Sequence, residues 1–167
     1  MTGIFGNRRL PVGPNFGVVI DTISMNIIIT KNEIEEALKR ESSLISKGAF
    51  TANGENLHEA LYIDEHEFKV LESAYIDALS VITSTLCDFL AVEPRLNELG
   101  VELSLRKSYP EMEGAIKGDI LSYMVKRVVA LWLTMVHPEL TAIYEKAAVA
   151  TLNNLIHKLY YKAPPLR

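Results

Sequence analysis

The sequence predicts a mainly α protein, an antiparallel bundle of about four helices with an extended N-terminal arm and a small β element. The main observation is a pair of long amphipathic segments between Asp119 and Tyr161. They are separated at His137-Pro138, because proline suits the first turn of a helix and disfavours helix in the residue before it. A short turn between two amphipathic helices predicts an antiparallel hairpin.

Apolar residues in both segments recur at three- and four-residue steps, the spacing of one helix face. The predicted buried stripes are Ile120, Tyr123, Met124, Val128, Leu131 and Met135, then Leu140, Ile143, Tyr144, Ala147, Ala150, Leu152, Leu155, Ile156 and Leu159. Gly114 and Gly118 precede the first stripe, and each costs about 1 kcal/mol against alanine inside a helix. We expect a break or kink there, with the helix starting near Asp119; close approach of a neighbour is the alternative.

Two further helices are predicted before this hairpin. Thr30 and Glu33 form a capping box that starts the first, which ends at Gly48. Its apolar stripe is Ile34, Ala37, Leu38, Leu44 and Ile45. The second begins at Asp64 as N-cap and runs to about Val92, before Pro94. Its apolar stripe is Phe68, Leu71, Tyr75, Ala78, Leu79, Ile82, Leu86, Phe89 and Leu90.

The β element is predicted at Val18 to Ile29, after an irregular arm, residues 1–17, that Arg8 and Arg9 make locally basic. Alternation places Ile23, Met25, Ile27 and Ile29 on one face of this strand. The best partner within the chain is the short alternating run Val101, Leu103 and Leu105. The strand either packs on the chain's own helices or pairs with a neighbouring chain.

Composition limits the classes of protein that are possible. A chain of 167 residues is long enough for one domain with a real core. A formal net charge of -4 argues against nonspecific binding of nucleic acid. We see no signal peptide, and the longest apolar run, Val128 to Val136, is too short to span a bilayer. The single cysteine, Cys87, cannot form an internal disulfide and is predicted to be a buried thiol within a helix.

Signals for chemistry are absent from the sequence. His58 and His66 each precede a glutamate, but neither begins a His-Glu-x-x-His motif. The sequence contains no phosphate-binding loop and no nucleophile elbow. The carboxylates between Glu55 and Glu72 are interpreted as a solvated face, with a docking surface for the basic arm or tail of another copy as the alternative. We therefore expect no enzyme, no cofactor and no metal.

The C-terminal end has the composition of an interface anchor. Two aromatic residues lead into a stiff basic tail, whose members are Tyr160, Tyr161, Lys162, Pro164, Pro165 and Arg167. The alternative is that Tyr160 packs on the bundle and Tyr161 is simply exposed. The chain thus divides into an arm and strand (1–29), a helical domain (30–161) and a tail (162–167).

The order of these features is similar to a known family. A Thr-Lys-x-Glu-Ile helix, an Asp-Glu-His-Glu helix start, a Lys-Arg-x-x-x-Leu-Trp segment and a closing Leu-x-x-Leu-Ile-x-Lys-Leu-Tyr-Tyr-Lys-x-Pro-Pro occur in turn. Over residues 30–167 the chain resembles the small helical head–tail connector, or adaptor, proteins of tailed bacteriophages and prophages of gut bacteria. Residues 1–29 lie outside the resemblance.

The resemblance implies a structural virion protein at the head–tail interface, made in the host cytoplasm. Such adaptors form a ring, commonly a dodecamer, below the portal, extend the DNA channel and contact tail or neck proteins. It also implies that residues 160–167 dock on another protein, that the strand adds to a neighbouring subunit, and that the arm acts as a clamp. DNA would pass without specific binding, and no membrane is involved. The rivals are another neck or tail-completion protein and a small helical regulatory module that binds one partner.

Overall fold

The computed structural model describes residues 24–48, 63, 71–97, 100–107 and 110–160. The predicted fold class is confirmed, because four α-helices and one small sheet make up this part of the chain. The helices are α1 (Lys31–Gly48), α2 (Glu72–Thr85), α3 (Glu113–Val136) and α4 (Pro138–Tyr160), with a 3₁₀ turn at Pro110–Met112. The strands are β1 (Met25–Thr30), β2 (Arg95–Asn97) and β3 (Gly100–Leu105).

The hairpin of α3 and α4 has its turn at the predicted place. α3 ends at Val136, and α4 begins at Pro138, whose missing N–H costs nothing in a first helical turn. α3 is the central helix, since it contacts α1, α2, α4 and β1, whereas α4 packs chiefly on α3. None of the helices that the structure describes is long and apolar enough to cross a membrane.

The sheet is antiparallel and has the order β1-β3-β2. β1 pairs with β3 in the register Met25 to Leu105 and Thr30 to Gly100, which confirms the predicted internal partner. Alternate residues of β1 are buried, and they contribute to one core with the helices. β1 therefore belongs to the folded unit, and the predicted boundary after residue 29 falls inside that unit.

α1 begins with the predicted capping box. The N–H of Glu33 donates to Thr30 Oγ1 at 3.2 Å, and the N–H of Thr30 donates to Glu33 Oε2 at 2.7 Å. The strand β1 therefore passes into α1 without an intervening loop. This short connection brings the buried faces of β1 and α1 into the same core.

α2 ends earlier than its apolar pattern predicts. The helix stops at Thr85, and Leu90 instead forms an isolated antiparallel bridge with Leu105 of β3. The predicted extension to Val92 is wrong. One further turn follows the helix, in which the N–H groups of Phe89 and Leu90 donate to the carbonyl of Leu86, and the N–H of Ala91 then donates to Ser104 of β3. Cys87 lies in the turn after α2 and is exposed, so the prediction of a buried thiol is wrong as well.

α3 continues through both glycines. It begins at Glu113, so the predicted break before Asp119 is absent. Close approach of a neighbour within the described chain is also absent, because a Cβ added at Gly114 or Gly118 would meet nothing within 4 Å. Packing of the rest of α3 therefore overrides the low helix propensity of the two glycines.

Four residues of the predicted buried stripes are on the surface: Leu44 is 59% exposed, Met135 63% and Ile143 60%, and Ala150 is exposed as well. Periodicity identifies an apolar face, but it does not show how far along that face a neighbouring element reaches. Some other predictions, namely the helix start at Asp64, Phe68 and the arm 1–17, lie outside the described residues.

Candidate protein interface

Arg127 of α3 is the main polar link between helices. Its Nη2 lies 3.3 Å from Asp77 Oδ2 of α2, and its Nη1 lies 3.8 Å from Glu145 Oε1 of α4. One guanidinium thus connects three helices, which suits the planar fork of arginine. Both carboxylates are about half exposed, so these pairs align the helices more than they stabilise the fold.

Further polar contacts hold α4 in place. Lys158 Nζ lies 2.5 Å from Asp119 Oδ2, and Lys126 Nζ donates to Thr151 Oγ1 at 2.9 Å, so two contacts tie α4 to α3. The hydroxyl of Tyr144 donates to Glu41 Oε1 at 3.0 Å and links α4 to α1. Burial, and then the bond to this carboxylate, raise the pKa of Tyr144.

These charged groups are spread along helix contacts and do not converge in a cleft. In the part of the chain that the structure describes, no group of three His, Cys, Asp or Glu side chains could hold a metal ion.

β1 is one edge of the sheet and carries three of the predicted interface residues. Met25, Ile27 and Ile29 are at most 5% exposed and lie in the chain's own core. Their apolar side chains are therefore not available to a neighbouring chain. An interface at β1 would use the backbone edge that has no strand partner among the described residues, and the outward residues, of which Ile28 is 57% exposed.

Tyr160, at the end of α4, both packs and remains accessible. Its ring centroid lies 4.8 Å from that of Phe89, with the planes at 84°, an edge-to-face contact. The residue is nevertheless 63% exposed. The sequence did not indicate Phe89 as its partner, because Phe89 was assigned to the stripe of a longer helix.

The other predicted interface residues lie outside the described part of the chain: Arg8, Arg9, Ile23, Tyr161, Lys162, Pro164, Pro165 and Arg167. Their assignment stays a prediction.

A surface that the sequence analysis missed lies at the turn of the α3–α4 hairpin. We name Met135, Val136 and Ile143 the hairpin tip; they are 63%, 37% and 60% exposed. Two of the three were assigned to buried stripes. Their nearness to His137-Pro138 was the available signal, because the end of a helical hairpin has fewer neighbours than its middle.

The comparisons with known proteins gave no match: no protein-family model, no curated protein and no solved structure matches this chain.

Proposed function

We propose that this chain is a structural virion protein, a head–tail connector that forms a ring below the portal and extends the DNA channel. Its partners would be further copies of itself, the portal protein, and tail or neck proteins. The order of motifs over residues 30–167 supports the proposal. So do the polar side chains of the described residues, which link the chain's own helices to one another.

The observation that carries the proposal is the hairpin tip. It exposes three large apolar side chains at one end of the two longest helices, beside the turn at His137. Exposed large apolar side chains at the end of a helical hairpin are available for contact with another protein. A connector needs such a surface at the end of its bundle, where it meets the portal or the tail.

The charge of the chain suits a channel through which DNA slides. A formal net charge of -4 disfavours tight binding of phosphates, which would slow the passage of DNA. Specific DNA binding therefore forms no part of the proposal.

The test compares the mass of the full-length protein in solution, with and without portal-containing heads. The informative variant is Met135→Lys/Ile143→Lys, since both positions are exposed and their loss leaves the core intact. We expect the wild type to join heads and the variant to lose this binding. Val149→Lys is the matched control, because Val149 is 58% exposed on α4 away from the tip.

Two results would contradict the proposal. Wild-type protein that never binds heads would favour a regulatory module with one partner, especially if it stays a monomer or dimer. Binding to tails or to completed necks, but not to heads, would favour a neck or tail-completion protein. Equal loss of head binding in the control variant would show that the hairpin tip is not the surface that binds heads.

A further inference from the structure

The backbone groups of β3 divide between its two neighbours. The N–H of Ala91 donates to the carbonyl of Ser104 at 2.7 Å, and the N–H of Arg106 donates to the carbonyl of Phe89 at 2.8 Å. Successive residues of an antiparallel strand turn their polar groups to opposite sides. The backbone N–H and C=O groups of Ser104 and Arg106 thus point to the β2 side of β3. The backbone groups of Val101, Leu103 and Leu105 point to β1.

The same alternation identifies the free groups of β1. The residues opposite those three are Ile29, Ile27 and Met25, which therefore make the hydrogen-bonded pairs with β3. Asn26, Ile28 and Thr30 then point their N–H and C=O groups to the other edge. The N–H of Thr30 agrees with this, since it donates to Glu33 Oε2 and not to β3. Within the described ranges no strand pairs with Asn26 or Ile28 on that edge.

The edge lacks the features by which natural edge strands resist pairing. Its six residues, Met-Asn-Ile-Ile-Ile-Thr, include no charged residue, no proline and no glycine. Ile28, at 57% exposure, presents an apolar side chain on the outward face of the strand. The edge is therefore suited to accept an extended, apolar, β-prone segment.

The chain itself contains such a segment. Five of the six residues from Val18 to Ile23 are β-branched, the residues most favoured in strands. Folding back onto its own β1 would require a tight turn within Asp21 to Ser24. That stretch contains no glycine or asparagine, Asp21 is its one residue that tolerates positive φ, and two of its four residues are β-branched. The segment is therefore better placed to pair with another copy.

We propose that residues 18–23 of one copy add as a strand to the β1 edge of a second copy, at Asn26 and Ile28. The contact is head-to-tail, in that each copy donates its segment to one neighbour and accepts a segment from another, and such contacts form a ring where the rotation between copies closes. The inference rests on the proposed function in one respect: it names the contact between neighbouring subunits of the ring.

The acceptor variant is Ile28→Pro in the full chain. It removes an N–H that faces the open edge and leaves the hydrogen bonds to β3 in place, as proline does on edge strands. Ile28→Val is the matched control, since it keeps the N–H and a β-branched side chain. We expect the wild type and Ile28→Val to self-associate in sedimentation. Ile28→Pro should sediment as a monomer, and its circular dichroism should show that it is folded.

The donor variant is Val19→Pro/Ile20→Pro, which removes two successive N–H groups and so blocks either edge of the segment. Its matched control is Val19→Thr/Ile20→Thr. It lies outside the β1–β3 ladder, so it remains informative if Ile28→Pro fails to fold. We expect the donor variant to be monomeric and its control to associate like the wild type.

Mixing the two proline variants distinguishes a second copy from the chain's own segment. The acceptor variant retains a donor segment, and the donor variant retains an open edge, so we expect a heterodimer of twice the monomer mass and nothing larger. A mixture that stays monomeric overturns the proposal, and so does a wild type that remains monomeric. Oligomers of unchanged mass in either proline variant overturn it too.

Head binding, measured on the same proteins, separates this inference from the proposed function. Ile28→Pro that self-associates and binds heads like the wild type ends the inference and leaves the connector proposal standing. A wild type that assembles through the segment but never binds heads contradicts the connector proposal and leaves the strand-addition inference standing.

Discussion

Glu33 and Lys117 form an ion pair in which Oε1 and Nζ lie 2.7 Å apart, and this pair joins the start of α1 to the start of α3. The other oxygen of the same carboxylate, Oε2, accepts the N–H of Thr30. One side chain thus completes a capping box and links two helices. The two roles can be separated by substitution.

Glu33→Gln and Glu33→Ala should destabilise the protein to different extents. Glutamine keeps an oxygen for the N–H of Thr30 and loses only the pair with Lys117, worth about 0.2–1 kcal/mol for groups as exposed as these. Alanine also loses half of the capping box, for a further ~1 kcal/mol. Urea unfolding measures both values. Equal losses in the two variants would show that the cap contributes nothing.

Stability should fall in acid in a way that depends on Glu33. The bond to Lys117, and then the bond from the backbone of Thr30, lower the pKa of Glu33 in the folded protein. Its contribution is therefore present above the unfolded pKa, about 4.3, and is lost as the pH falls through the lower folded pKa. The difference in unfolding free energy between wild type and Glu33→Gln should shrink over that range. A constant difference would contradict the assigned shift.

Gly118→Ala should stabilise the protein by about 0.5–1 kcal/mol. The residue is exposed within α3, and an added Cβ meets nothing within 4 Å. Gly100→Ala is the contrasting variant, because Gly100 has a φ of 137° and its Cβ would lie 2.0 Å from the carbonyl oxygen of Ile29. It should lose on the order of 1–3 kcal/mol. Thermal unfolding distinguishes the signs, and destabilisation by Gly118→Ala would indicate a break in α3.

Alkaline solution should destabilise the protein through Tyr75, which is buried, and Tyr144, which is partly buried. Burial, and then the charge of Glu35, raise the pKa of Tyr75, and the pKa of Tyr144 is raised by burial and by Glu41. The unfolded chain ionises first, so stability is complete below pH ~10 and is lost as the pH rises beyond it. Tyrosinate absorbance should show these two groups ionising only on unfolding. In Tyr144→Phe, the rise in tyrosinate absorbance on unfolding should be smaller by the contribution of one tyrosine.

Cys87 should react with a thiol reagent in the folded protein. The side chain is exposed in the turn after α2, so modification does not require unfolding. The labelling rate in buffer should be within a few-fold of the rate in concentrated urea. Protection by orders of magnitude would restore the buried, helical position that the sequence pattern indicates.

The interactions that the sequence predicted well are local. Thr30 and Glu33 form their capping box, and Pro138 begins α4, since both depend on residues within one turn of helix. The alternation of β1 also placed Met25, Ile27 and Ile29 correctly on a buried face. Such features follow from backbone sterics and from side-chain spacing, which a sequence states directly.

Other features depend on contacts between distant segments, and only the tertiary structure decided them. Leu90 leaves the helical pattern because Leu105, far along the chain, offers a strand partner. Helix continues through Gly118 because the rest of α3 is held on three sides.

The candidate interface shows the same division between sequence and tertiary structure. The sequence by itself determined that apolar faces exist, and hence a helical bundle with a small sheet. Whether Ile143 is covered, and which edge of β1 pairs with β3, was decided by how far the neighbouring elements extend. Burial of a residue depends on how far the neighbouring helix or strand extends, whereas periodicity shows only which face of an element is apolar.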